Sequence, residues 1–178
     1  MTKPLYIFDL DGTLALIEHR RHYVDRPSLK CYDCGGANRS NCVQCADLDE
    51  GFKPDWTAFY AACHLDEPNK PVIATLNRLH QAGADIWIFS GRSDEVREKT
   101  VSWLTKHVRL WEYQIDACLC MRRAGDYTPD DVLKKQWLDN MLVEDSQRLV
   151  AVFEDRDRMV AMWRAAGVPC FQVAPGDF

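Results

Sequence analysis

Four times in 178 residues a short apolar run ends on charged or hydroxyl-bearing side chains, and no other feature of this chain restricts its fold as tightly. Leu5-Tyr6-Ile7-Phe8 runs into Asp9-Leu10-Asp11-Gly12-Thr13, Ala84 to Phe89 into Ser90-Gly91-Arg92, Ile115 to Met121 into Arg122-Arg123, and Leu149 to Phe153 into Glu154-Asp155. Runs of this length and composition read as buried strands, and Val168 to Val173 reads as a fifth. Helical patterns separate them. Pro71 sits in the first turn of a stretch carrying Val72, Ile73, Leu76 and Leu79 at helical spacing, with Gly83 placed to end it. Ser93 can cap a helix running to about His107, Thr128-Pro129-Asp130-Asp131 opens one reaching about Met141, and Arg156 to Ala166 stops at Gly167. A shorter helix is expected from Asp55 to Cys63. Strands alternating with helices imply an α/β fold, a three-layer, Rossmann-like parallel sheet with Leu5–Phe8 as the central strand.

In such sheets reactive groups gather beyond the carboxyl ends of the strands. Two carboxylates two residues apart, Asp9 and Asp11, can divide the work of phosphoryl transfer: one attacks phosphorus and the other exchanges a proton with the leaving oxygen. Glu154 and Asp155 bring more negative charge to the same end of the sheet. Several carboxylates beside a phosphate dianion repel one another unless a hard cation such as Mg²⁺ is present. Ser90, Arg92 and a lysine would hold the phosphoryl oxygens, with Arg122 near the substrate. Each motif has a plainer reading, an Asx turn for Asp9 to Thr13, a helix-entry turn for Ser90 to Arg92 and a helix cap for Glu154-Asp155. Their joint placement at strand ends favours chemistry.

The net charge of -5 argues against a protein that grips nucleic acid by a broad basic surface, though a local basic pocket is compatible with it. No apolar stretch reaches the roughly 20 residues of a membrane span, and Met1 to Ile7 lacks the layout of a secretory signal, so a cytoplasmic protein without membrane contact is expected. In a reducing compartment the eight cysteines favour thiols and metal thiolates over disulfides. Between Arg20 and Pro54 the periodicity lapses, and Cys31-Tyr32-Asp33-Cys34 and Cys42-Val43-Gln44-Cys45 form two Cys-x-x-Cys pairs. Cys31, Cys34, Cys42 and Cys45 suit tetrahedral Zn²⁺, a closed site that would fold an insert and perform no chemistry. The expected division is a core of residues 1–21 and 57–178 and a zinc-binding cap insert of residues 22–56. Cys63, Cys118, Cys120 and Cys170 read as core residues. His19 and His22 flank Arg20 and could touch substrate; Tyr23, Trp56 and Tyr60 could stack on a base or pack the cap.

With these residues in place the chain resembles the haloacid dehalogenase (HAD) superfamily: Phe8-Asp9-Leu10-Asp11-Gly12-Thr13-Leu14 is similar to its first motif, Ser90 to its second, a lysine to its third and Glu154-Asp155 to its acidic fourth. Within it the chain resembles the 3'-phosphatase domains of bacteriophage polynucleotide kinase/phosphatases, through Asp11 to Ala15, Ser90 to Arg92, Asp130 to Lys134, Asp155-Arg156, Met162 to Arg164 and Gln172 to Phe178. The resemblance implies Asp9 as nucleophile, Asp11 as general acid and base, Ser90, Arg92 and Lys134 as phosphate binders, and Arg20 as a further functional arginine. Lys135 competes with Lys134 for the lysine role. Mg²⁺ would be held by the Asp9 carboxylate, the Asp11 backbone carbonyl and Asp155, with Glu154 nearby or acting through water; Glu154 stands where the relative has aspartate. No Gly-x-x-x-x-Gly-Lys-Ser/Thr loop occurs in these residues, so no kinase is expected in them. The implied substrate is a phosphorylated nucleotide or nucleic-acid end, first a 3'-phosphate, with a 5'-mononucleotide phosphatase or a non-enzymatic nucleotide- or partner-binding module as alternatives. A phage or phage-like source is implied; the oligomeric state is left open.

Overall fold

The computed structural model describes residues 2–25 and 52–176. The four cysteines expected to bind zinc, and with them most of the expected cap insert, lie outside the described residues. Strands β1 (Leu5–Asp9), β4 (Asp85–Ser93), β5 (Leu119–Arg122), β6 (Leu149–Glu154) and β7 (Cys170–Gln172) form a parallel sheet in the order β5-β4-β1-β6-β7, and a two-stranded pair, β2 (Ala15–Leu16) with β3 (Glu67–Pro68), stands apart from it. The helices are α1 (Trp56–Ala61), α2 (Lys70–Gln81), α3 (Arg97–His107), α4 (Glu112–Cys118), α5 (Asp130–Asp139), α6 (Val143–Arg148) and α7 (Asp157–Ala165).

Period-two alternation along β1 divides the core between the two faces of the sheet. Phe8 points to one side, where Ile86 and Ile88 join Val72, Ile73 and Leu76 of α2 and Val101 and Leu104 of α3. Ile7 points to the other, where Phe89 and Val152 meet Val160 and Trp163 of α7. This is the expected three-layer α/β arrangement. Each such aliphatic side chain taken out of water contributes roughly 2 kcal/mol before chain entropy is subtracted. The chain builds outward from β1 to β4 and β5 on one side and to β6 and β7 on the other. The switch point therefore lies at the carboxyl end of β1, where the first motif sits.

Two strands of the sheet depart from the sequence expectation. Ile115 to Cys118, expected as strand, close α4, and β5 begins only at Leu119. Ile115 and Leu119 are buried, a spacing of four that suits a helix face as well as a strand. The Gln114 side chain accepts from the Trp111 N–H (2.9 Å) and commits the start to helix. β4 runs past Phe89 to Ser93, with a register break between Ser90, opposite Met121, and Ser93, opposite Arg122. The two extra residues bulge and turn the Arg92 side chain into the protein, where it is fully buried.

The β2–β3 pair returns the chain over the carboxyl ends of the strands. Asn69 N–H donates to the Leu14 carbonyl (2.8 Å), and Asp55 N–H to that of Tyr23 (2.8 Å), which ties the chain together on either side of residues 26–51. Asp66 is thereby carried to the end of β1.

Candidate active site

Leu14 and Ala15 N–H both donate to the Leu10 carbonyl (2.9 and 2.8 Å), folding the residues after β1 into a compact turn. Gly12 adopts φ +90°, and a Cβ there would lie 2.0 Å from the Asp155 Oδ2. Both facts demand glycine. Thr13 Oγ1 donates to Asp155 Oδ1 (3.1 Å). The Asp-Gly-Thr sequence is thus shaped to receive the acidic end of β6.

Asp9, Glu154 and Asp155 are each at most 5% exposed, and one carboxylate oxygen from each lies within 4.8 Å of the others. The positive charge placed against them is Lys134 of α5, whose Nζ bonds the Asp9 carboxylate and Glu154 Oε2 (2.9 Å). Three buried carboxylates face one ammonium. Burial first, and then Glu154, push the Asp9 carboxyl well above its ordinary range, and the same causes push Asp155 up to about 7. A hard divalent cation fits this donor set, since it would supply the missing charge with the oxygen ligands it prefers. Lys135, the competing lysine, faces solvent and pairs with Asp139 (2.6 Å).

Asp11 sits in a different setting. Arg20 Nη2 and Arg92 Nε both donate to its Oδ1 (2.7 Å each). The same guanidiniums are held from behind by the fully buried Asp66, through Arg20 Nε (2.7 Å), Arg20 Nη2 (2.8 Å) and Arg92 Nη2 (2.5 Å). Two arginines and two aspartates interlock with balanced charge. Burial alone would raise the Asp11 carboxyl, but Arg92 and Arg20 outweigh it and hold the group below its usual range. The Phe59 ring lies 4.1 Å under the Arg20 guanidinium, and Trp103 Nε1 donates to the Asp66 carbonyl (2.7 Å), fixing its backbone.

Ser90 is fully buried, and its Oγ accepts the Arg92 N–H (3.3 Å). Arg122 donates to the Gly91 carbonyl (3.0 Å) and bonds Asp130, whose other oxygen accepts from Arg156 Nη1 (2.6 Å). A Cβ at Gly91 would come within 2.7 Å of Asp130 Oδ1, so this loop closes tightly on α5. A cleft of about 770 Å³ opens over these groups, with Asp9, Asp11, Lys134, Glu154, Tyr60 and Arg122 in its walls.

Asp9, Asp11, Arg20, Ser90, Arg92, Lys134, Glu154 and Asp155 therefore converge, while Arg122 forms the cleft wall. His19 bonds Asp66 Oδ1 (2.8 Å). Sequence reasoning missed Asp66, Thr13 and the bridging place of Asp130. Asp66 lies in a short non-periodic link, and the only signal for it was indirect: two arginines buried beside one aspartate require a second anion.

Comparison with known proteins agrees with this geometry. Residues 57–178 match the family model for the polynucleotide kinase PNKP phosphatase domain. An Autographa californica nuclear polyhedrosis virus protein, assigned as a bifunctional polynucleotide kinase/RNA ligase, is 30% identical over 161 residues, covering 90% of this chain and 18% of that one. A chain from the Pnkp1/Rnl/Hen1 RNA repair complex superposes with a TM-score of 0.66 at 29% identity, over 99% of this chain and 44% of its own length. CbbY from Rhodobacter sphaeroides, solved with phosphate, shares the fold (TM-score 0.55, 17% identity, 99% and 88% covered). The chain thus spans less than half the length of the first two proteins.

Proposed function

The chain belongs to the polynucleotide kinase phosphatase-domain family within the HAD superfamily and is a phosphatase, and from that premise we propose that it removes 3'-phosphate from nucleic-acid ends or nucleotides through an aspartyl-phosphate on Asp9, with Mg²⁺. The observation that carries this reading is the opposite setting of the two carboxylates: Asp9 beside a lysine in an acid-rich pocket, Asp11 between two guanidiniums.

In the first step an Asp9 oxygen bonds to phosphorus as the ester P–O bond breaks, and Asp11 passes a proton to the departing sugar oxygen. In the second, water attacks the aspartyl-phosphate, Asp11 takes its proton, and the bond to Asp9 breaks to release inorganic phosphate. An incoming dianion competes for Arg20 and Arg92 and so raises the proton affinity of Asp11, as the first step requires. In this reading Lys134 and Ser90 take phosphoryl oxygens, while Arg92 and Arg20, both bonded to Asp11, orient it. The cation, held by Asp9 and Asp155 with Glu154 nearby, would neutralise charge on the transferring phosphoryl group. The preference for a nucleic-acid substrate is supported by the polynucleotide kinase phosphatase-domain family and by relatives named as a polynucleotide kinase/RNA ligase and as part of an RNA repair complex; the 3' end follows from the resemblance set out in the sequence. For residues 22–56 we retain the reading of a cap, with Cys31, Cys34, Cys42 and Cys45 holding structural Zn²⁺; one zinc per chain by native mass spectrometry is the expected result, and none the contrary one.

The test is phosphate release from a 3'-phosphorylated oligonucleotide beside deoxynucleoside 5'-monophosphates, with Mg²⁺ and with chelator. Faster release from the oligonucleotide, reversible loss on chelation and a fall of more than roughly 10⁴-fold in Asp9→Asn are expected. Faster release from the 5'-monophosphates would replace the substrate assignment, and turnover retained in Asp9→Asn would remove the nucleophile.

A further inference from the structure

The link between β5 and α5 is pinned far more firmly than a surface loop requires. Arg122 Nη1 donates to the Asp126 and Thr128 carbonyls (3.1 and 2.6 Å), Ala124 N–H to Asp94 Oδ1 (2.8 Å), Asp126 N–H to the Arg123 carbonyl (3.1 Å) and Thr128 N–H to Asp126 Oδ1 (2.8 Å). Gly125 takes φ +75° to make the turn. Two side chains stay out of this lattice. Tyr127 is 93% exposed, and neither its hydroxyl nor the Arg123 guanidinium makes a hydrogen bond or ion pair within the described residues. Both line the same cleft as Asp9 and Asp11.

A lone exposed tyrosine needs no explanation. An exposed ring and an exposed guanidinium four residues apart, on an ordered loop at the wall of this cleft, form a preorganised pair: the ring offers a stacking face, and the cation, whose neighbouring anion is the part-exposed Asp126, is open to a phosphodiester. Because the loop is already ordered, binding would freeze little beyond the two side chains.

Building on the phosphatase reading of the site, we infer that Arg123 and Tyr127 engage the nucleotide preceding the 3' terminus of a single-stranded substrate, Tyr127 stacking on its base and Arg123 pairing with the phosphodiester, so that this loop favours polynucleotide ends over mononucleotides. Neither residue touches the reacting phosphate. They act as specificity determinants, by holding the strand.

The experiment compares kcat/KM on a 3'-phosphorylated single-stranded hexamer with kcat/KM on a nucleoside 3'-monophosphate, for the wild type, Arg123→Ala, Tyr127→Ala and Tyr127→Phe. The hexamer-to-monophosphate ratio should fall about tenfold in Tyr127→Ala, as expected for one lost base–ring stack, and hold in Tyr127→Phe, which keeps the ring. Arg123→Ala should lower the ratio several-fold and reduce the slope of log affinity against log salt for the hexamer by about 0.7, the loss of one phosphate contact to a single strand. These side chains make none of the bonds that order the loop, so the variants should fold, and unchanged melting temperatures verify it. Ratios unchanged in both alanine variants overturn this inference alone. A wild type that attacks neither 3'-phosphate overturns the substrate reading, and this inference with it.

Discussion

Asp9 and Asp11 are two residues apart in the chain and opposite in their electrostatics. Around Asp9 three buried carboxylates share one ammonium; around Asp11 two carboxylates share two guanidiniums. Burial and like charge push Asp9 up, and arginine pairing holds Asp11 down. One half is short of positive charge and fits a cation and a phosphoryl group. The other is balanced and preorganised before anything binds. Pairs of titratable groups driven apart by their surroundings are candidates for divided roles, and here the electrostatic contrast follows from which elements deliver the counter-charges: α5 sends a single lysine, whereas the β4 bulge and the 3₁₀ turn of Glu18–Tyr23 each send an arginine.

Three substitutions probe this contrast, in decreasing order of expected effect. Asp66→Asn attacks the balanced half. It leaves two buried guanidiniums against one carboxylate, and breaking such a network costs about 3 kcal/mol or more in urea unfolding. It should also lower kcat/KM more on a nucleoside 3'-phosphate, whose alkoxide leaving group needs a proton, than on p-nitrophenyl phosphate, whose leaving group does not. Equal losses on the two substrates would reduce Asp66 to a structural prop. Gly12→Ala strikes the seam between the halves: the positive φ and the approach to Asp155 should destabilise by about 2 kcal/mol, with activity falling as Asp155 is displaced. Wild-type stability in that variant would mean the turn relaxes freely. Lys135→Ala removes only an exposed pair with Asp139 and should cost less than about 0.5 kcal/mol, with kcat unchanged. A large loss of activity there would shift the lysine role away from Lys134.

Most of the fold was legible because buried strands and amphipathic helices have distinct periods. All five sheet strands follow apolar runs seen in the sequence, with Leu5–Phe8 central. The error at Ile115–Cys118 arose where four-residue apolar spacing fits either state and a glutamine decides. α6 was missed because Val143–Arg148 is too short to show a period. In the site, Asp9, Ser90, Glu154 and Asp155 could be read because they follow directly on apolar runs of the sequence. Asp66 could not, since its place depends on the β2–β3 pairing that brings a distant link back to Arg20 and Arg92. Arg122, expected near the substrate, is held by Asp130 and by backbone carbonyls. Neighbouring Arg123 was read only as part of the strand-end pair and given no role of its own, because such a pair does not reveal which member turns inward.

The charge imbalance around Asp9 is tested most directly by titrating Mg²⁺ calorimetrically into wild-type protein, Asp155→Asn and Asp11→Asn. One Mg²⁺ should bind to the wild type and to Asp11→Asn, with affinity at least about tenfold weaker in Asp155→Asn, where a ligand is lost. No binding to the wild type, or equal affinity in Asp155→Asn, would contradict the assignment of this half of the site to a cation.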